Sequence, residues 1–278
     1  MPLVTPHDAL HRARGERRGV AAFNVIQLEH AEAYAAAAEE TGCTIVLQIS
    51  QNAMRYHGAL APLAKAVTAV AEASSAPLVL HLDHADDRDL VREALDLGFT
   101  SVMFDASALP YDVNVTSTAE VVAEAHAVGA AVEAELGEVG GKDGVHAPGV
   151  RTDPKEAAVF VRDTGVDSLA VAVGSSHAMT ERTAVLDLDR IGELREAVDV
   201  PLVLHGSSGV PDATLTAAIR AGMTKINIAT HLNHALTDAV RNYLAEHPDV
   251  VDPRKYLGAG RTAMTEEVIR LLRVLDAV

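Results

Sequence analysis

Three histidines in this chain each close a short run of apolar, strand-like residues: His84 in VLHLDHADD, His177 in LAVAVGSSHA and His205 in PLVLHGSSG. Three neutral imidazoles with a fourth coordination position open make a catalytic metal arrangement. Asp83 stands immediately before the first of them, so a metal and a proton-transfer carboxylate would share one pocket. Two more acids close apolar runs, Asp105 after VMF and Glu135 in VEAELG. A carboxylate buried in a strand is costly unless it is paired or metal-bound, and a rim salt bridge or loop anchor is the plainer reading of both. Of the 13 histidines, His7, His11, His126 and His247 fall in helical or terminal contexts and read as ordinary surface or core residues.

Small residues supply a second signal. His205 is followed by Gly206, Ser207, Ser208 and Gly209, and Asn227, Ile228, Ala229 and Thr230 end a later apolar run. In many α/β barrels the loops after strands seven and eight hold a phosphate through backbone N–H groups and a helix N-terminus. Metal, phosphate and a rim aspartate together suit carbon–carbon cleavage next to a ketone, because a divalent ion can polarise the carbonyl and stabilise an enediolate while the carboxylate moves the proton. The other solution to that chemistry is a Schiff-base lysine. Lys65, Lys155 and Lys255 lie outside the expected strands, Lys142 lies in a loop, and Lys225 is expected to open the eighth strand at the barrel's opposite end. The metal route is therefore the expected one.

Positioning these groups requires strands whose carboxyl ends converge. The sequence predicts eight strands, at 20–25, 44–49, 78–82, 101–104, 131–135, 168–173, 202–204 and 225–228, each followed by a helix. Those helices are expected at 28–41, 59–73, 87–97, 115–128, 154–163, 188–197, 212–221 and 231–246, after a first helix that Pro6 opens at its N1 position. Helix-stop glycines stand before several strands, at Gly42, Gly98, Gly129, Gly165 and Gly222. Continuous apolar runs suit a parallel sheet covered by helices. The fold class expected is α/β, a single (β/α)8 TIM barrel over residues 1–278 with a C-terminal helical extension at about 253–278; an open doubly wound sheet is the alternative. The segment 137–153, rich in Gly and Pro, reads as a long loop at the catalytic rim.

Composition narrows the classes further. At 278 residues, 49% of them apolar, the chain can bury a large core. A net charge of −16 argues against nucleic-acid binding, and no apolar run approaches the ~20 residues of a membrane span. The one cysteine, Cys43, excludes an intrachain disulfide and fits a reducing compartment. Acidic residues Asp8 and Glu16 within the arginine-bearing N-terminus argue against an organelle presequence, and a cytoplasmic location is expected.

Taken together, AAFN, HLDHADD, SVMFDAS, VEAELGEVGG, DSLAVAVGSSH, PLVLHGSSG, KINIAT and DPRKYL resemble the class II, zinc-dependent ketose-bisphosphate aldolases over nearly the whole chain. The resemblance implies zinc on His84, His177 and His205, with Asp83 as proton donor and acceptor at the aldehyde-derived hydroxyl. It implies Asp105 and Glu135 around a second or displaced divalent-metal position. The dihydroxyacetone phosphate site would comprise Ala178, Gly206–Ser208 and Asn227–Thr230, with a monovalent cation, Na+ or K+, beside the phosphate. Asn24, Gln48 and Ser50 are candidates for the aldehyde half. Ala178 stands where the family usually has glycine. Asp143, in Gly140–Gly144, stands where relatives carry a loop glutamate that handles the enediolate carbon's proton. The expected substrate is fructose or tagatose 1,6-bisphosphate and the expected assembly a homodimer or homotetramer. The alternatives are another phosphorylated ketose or ketoaldonate, as in inositol breakdown, and a non-catalytic sugar-phosphate-binding or zinc-storing protein.

Overall fold

Eight strands hydrogen-bond in chain order, all parallel, and close on themselves through pairing of the first with the eighth. The computed structural model describes residues 3–136, 151–176 and 181–277. The strands are β1 (Val20–Asn24), β2 (Ile45–Ser50), β3 (Leu78–Ala85), β4 (Ser101–Phe104), β5 (Ala131–Leu136), β6 (Ser168–Val171), β7 (Leu202–Leu204) and β8 (Met223–Ile228). The helices are α1 (His7–Glu16), α2 (Leu28–Thr41), α3 (Gln51–His57), α4 (Ala61–Ala73), α5 (Arg88–Asp96) and α6 (Tyr111–Ala127). They continue as α7 (Pro154–Thr164), α8 (Leu188–Ala197), α9 (Asp212–Ala221), α10 (Thr230–Glu246) and α11 (Pro253–Val274). The α/β barrel expected from the sequence is the fold observed, and the open sheet is excluded by the β1–β8 pairing.

Strand periodicity sorts the core into two regions. Ile45, Leu47 and Ile49 on β2, and Leu78, Leu80 and Leu82 on β3, join one large apolar cluster between sheet and helices. Their alternates point into the barrel. At its amino-terminal end Ala22, Val46 and Val79 pack under α1 through Leu10 and Ala13, so the first helix plugs that mouth. Further up, Met103, Ala170 and Val203 form a small interior cluster. The polar residues of the barrel lie above these.

Several boundaries differ from expectation. Pro6 is the N-cap of α1 rather than its first helical residue. Helix α3 is additional to the expected helices; Ser50 starts it by accepting a hydrogen bond from the Ala53 N–H at 3.1 Å. Asp87, Asp153, Asp187 and Asp252 cap α5, α7, α8 and α11 in the same way. The C-terminal extension is α11, whose Met264, Val268, Leu271 and Leu272 are buried, and it packs against α10 and α2. No helix among the described residues is long and apolar enough to cross a membrane.

Candidate active site

Alternation along each strand sends one polar set to the carboxyl-terminal rim. Asn24, Gln48, Asp83, Glu135, His205 and Asn227 share the inward parity of their strands, and Asp105 follows β4 in the same phase. His84 breaks the rule. Adjacent residues on a regular strand face opposite ways, yet Asp83, His84 and His205 bring ligand atoms within 4.8 Å of one another. The cause is local: the register of β3 against β4 shifts between Leu82 and Ala85, and His84 adopts a left-handed backbone with φ 50°. Such a conformation is costly for a non-glycine residue and persists where its surroundings enforce it. The irregularity lets two consecutive side chains serve one pocket.

Each imidazole is oriented by a carboxylate. His84 Nδ1 lies 2.8 Å from Asp105 Oδ2, and His205 Nε2 lies 2.9 Å from Glu133 Oε1. A neutral imidazole has one N–H. With those protons given to Asp105 and Glu133, His84 Nε2 and His205 Nδ1 are both left as acceptors, and they face each other at 2.9 Å. Two lone pairs at that distance repel unless a cation lies against both. The donor set therefore fits a metal ion held by His84 Nε2 and His205 Nδ1. A second group, His84, Asp105 and Glu135, also brings its ligand atoms within 4.8 Å of one another. Ser107 Oγ links the two acids, donating to Asp105 Oδ1 at 2.6 Å and lying 3.4 Å from Glu135 Oε1.

Asp83 is buried and half engaged. Its Oδ2 accepts from Asn24 Nδ2 at 2.8 Å, and Asn24 Oδ1 accepts from Gln48 Nε2 at 2.8 Å. Asp83 Oδ1 has no hydrogen-bond partner among the described residues. Burial works against ionisation of this carboxyl, but positive charge near it, the buried Lys225 ammonium included, outweighs it and holds it below the ordinary carboxylate range. The site thus offers an ionised carboxylate, one oxygen of which has no partner among the described residues, beside two metal-competent nitrogens. Asn227 Nδ2 lies 2.9 Å from His205 Nδ1, and its Oδ1 is likewise buried without a partner. Ser50 serves as the α3 cap described above.

Beneath this rim lies a buried polar layer that the sequence reading missed. Lys225 does not sit at the far mouth of the barrel, as expected; β8 begins two residues earlier, at Met223, and carries Lys225 into the interior. Its ammonium pairs with Glu133 Oε2 at 2.8 Å and lies 3.4 Å from His81 Nε2, while His81 Nδ1 meets Ser101 Oγ at 2.7 Å. All four residues are at most 4% exposed, so the lysine is committed to an ion pair and is not poised to attack a carbonyl. The signal was present: Glu133 lies two residues before Glu135, on the same face of one strand.

Burial keeps two of these imidazoles neutral. Desolvation, with Lys225 adding to it, pushes His81 from 6.5 down to about 3, and desolvation with His84 pushes His205 down to about 4. A histidine whose folded value is lowered is protonated first in the unfolded chain, so stability falls as pH drops below about 6.5. The depressed carboxyls, Glu267 at about 2 among them, lose their contribution only below about 4. The metal-free protein is therefore expected to show a thermal midpoint that falls steadily between pH 7 and 5. Calorimetry showing a flat or rising midpoint over that window would contradict the neutral assignment.

The phosphate-type loops are built as small residues permit. Gly206 has φ 68°, and a Cβ there would press into the Ser176 backbone, the residue before His177. The following single 3-10 turn is Ser207–Gly209. Ser207 Oγ donates to the Leu204 carbonyl at 3.0 Å, and Ser208 Oγ accepts from Ala229 N at 3.2 Å and His231 N at 3.3 Å. Ser208 thereby ties the β7 loop to the start of α10 after Ile228, where Thr230 is the first helical residue. Gly206→Ala is expected to lower the thermal midpoint by several degrees, from about 1–3 kcal/mol of strain, and to weaken substrate binding; an unchanged midpoint would contradict the close approach. His177, Ala178 and Asp143 lie outside the described residues.

An eight-stranded parallel barrel with imidazoles, carboxylates and a small-residue loop at its carboxyl-terminal rim defines a metal-competent TIM-barrel enzyme. Residues 4–278 match the family described as fructose-bisphosphate aldolase class-II. The chain is 41% identical over 277 residues to a fructose-bisphosphate aldolase of Geobacillus stearothermophilus, covering 98% of this chain and 96% of that one. It is 39% identical over 303 residues to a fructose-bisphosphate aldolase of Giardia intestinalis, covering 100% and 94%. Among solved structures it resembles the YdjI aldolase of Escherichia coli K12, with a TM-score of 0.86, 30% identity and coverage of 99% and 98%. The chain belongs to the class-II fructose-bisphosphate aldolase family, metal-dependent lyases.

Proposed function

We propose that this protein is a zinc-dependent fructose-1,6-bisphosphate aldolase that reversibly yields dihydroxyacetone phosphate and glyceraldehyde 3-phosphate. The observation that carries the reading is Asp83 Oδ1, without a partner among the described residues, beside the facing nitrogens of His84 and His205. Those two histidines, with His177, would hold the zinc, which supplies a Lewis acid for the substrate carbonyl. Gly206, Ser207 and Ser208, with Asn227, Ile228, Ala229, Thr230 and Ala178, would hold the phosphate of the dihydroxyacetone half. Asn24 and Ser50 would lie toward the aldehyde half. Asp83 takes the C4 hydroxyl proton; the C4 oxygen becomes the aldehyde oxygen as the C3–C4 bond pair passes to C3. Asn24, itself held by Gln48, keeps the Asp83 carboxyl turned so that Oδ1 meets that hydroxyl. Asp143, or a water, returns a proton to C3. Asp105 and Glu135 offer a second divalent position, and Na+ or K+ would neutralise phosphate charge in this acidic protein.

The reading includes one barrel domain with α11 as its arm, supported by chain length, a cytoplasmic location, supported by the single cysteine, and a homodimer or homotetramer, supported by the family resemblance. The test is cleavage of fructose and tagatose 1,6-bisphosphates side by side, reading dihydroxyacetone phosphate. Faster turnover of the fructose epimer is expected. Preference for tagatose would overturn the substrate assignment and leave the reaction class standing.

A further inference from the structure

The ion pair under the rim has a direction. Glu133 divides its two oxygens between partners, Oε1 to His205 Nε2 at 2.9 Å and Oε2 to the Lys225 ammonium at 2.8 Å. Glu133, His205 and Lys225 are each 2% exposed or less. Water therefore does not compete for these bonds, and an ionised carboxylate can only accept. His205 must present its Nε2–H downward, which leaves Nδ1 as the nitrogen facing His84. His84 is set the opposite way, with Nδ1 bound to Asp105 and Nε2 facing the pocket. Reversing either ring would put an N–H where a ligand lone pair is needed.

We infer that Glu133 is a positioning residue that selects Nδ1 of His205 as its metal-binding nitrogen, and that Lys225 is the counter-charge that makes a carboxylate tenable there. Lys225 has a second bond of the same sense: His81 Nε2 lies 3.4 Å from the ammonium and His81 Nδ1 meets Ser101. The lysine is thus anchored from β3 and β5 together, and cannot follow Glu133 upward toward the pocket. A buried lysine left without its partner is strongly destabilising, whereas replacing a whole buried pair by apolar residues is often tolerated. That asymmetry allows the positioning role to be separated from a merely structural one.

Two charge-neutral double variants make the separation. In Glu133→Leu with Lys225→Met, the carboxylate that accepts the His205 Nε2–H is gone. In Glu133→Gln with Lys225→Met, the amide oxygen is free to accept it. In Glu133→Gln alone, the ammonium draws the amide oxygen to itself and turns the NH2 toward His205 Nε2, favouring the wrong tautomer. Zinc affinity, measured by chelator competition, is expected to fall about 10–100-fold in the Leu/Met variant, the range for lost outer partners of metal histidines. It is expected to recover most of that loss in Gln/Met and to stay weak in Glu133→Gln. Thermal midpoints of the metal-free proteins check that Leu/Met and Gln/Met fold alike, and cobalt-substituted absorption spectra should change in step with affinity. Wild-type affinity in Leu/Met would overturn the inference, as would equal affinity of the two double variants. If Leu/Met fails to fold, Gln/Met binding no better than Glu133→Gln overturns it instead. The inference rests on the metal site of the proposed function and not on its substrate: a wild-type protein that binds zinc but cleaves no ketose bisphosphate would sink the latter alone.

Discussion

Asp83→Ala is expected to lower the rate of cleavage by at least about a thousandfold while zinc content stays near that of the wild type. A thousandfold loss corresponds to about 4 kcal/mol of barrier, within the range that a positioned general base supplies. Asp83 Oδ2 is occupied by Asn24 and its Oδ1 has no partner among the described residues, so the carboxylate is organised for proton transfer rather than for structure. The methyl group of alanine leaves Asn24 Nδ2 without its acceptor, a cost of about 1–3 kcal/mol in a buried site. Asp83→Asn controls for that, since it preserves shape and removes the base. Turnover within about tenfold of wild type in both variants would show that another group moves the proton.

His84→Ala is expected to weaken zinc binding more than a hundredfold and to abolish cleavage. It removes one of the two facing nitrogens outright and strips Asp105 Oδ2 of its 2.8 Å partner. Asp105→Asn should be milder, about 10–100-fold, since the amide can keep the hydrogen bond but can also turn its NH2 toward Nδ1. The order of the two effects is the diagnostic, read by competition with a zinc chelator. Native zinc affinity in His84→Ala would place the metal elsewhere.

Much of this was legible in the sequence because parallel barrels impose a period of two on each strand and a common direction on all of them. Val46, Gln48 and Ser50 alternate with Ile45, Leu47 and Ile49, and the inward member nearest the carboxyl end is the rim residue. The same counting places Asp83, Glu135, His205 and Asn227. It fails for His84, because a register shift between Leu82 and Ala85 and a left-handed φ belong to tertiary pairing with β4 and have no local sequence signature. It fails for Lys225 because the eighth strand, expected to open at that residue, begins at Met223. Once the strand starts at Met223, the lysine's long stem lies inside the barrel and its ammonium reaches Glu133. Helix α3 has no signature in the sequence because a seven-residue segment, Gln51–His57, has too few turns to show helical periodicity.

The most direct measurement is the initial rate of dihydroxyacetone phosphate release from fructose 1,6-bisphosphate as zinc is titrated into fully metal-free protein. A zinc-dependent aldolase gives a negligible rate without metal, a rise in proportion to added zinc, and saturation once the sites are filled. Cleavage that persists with all bound metal removed, or no cleavage at zinc saturation, would contradict the assignment.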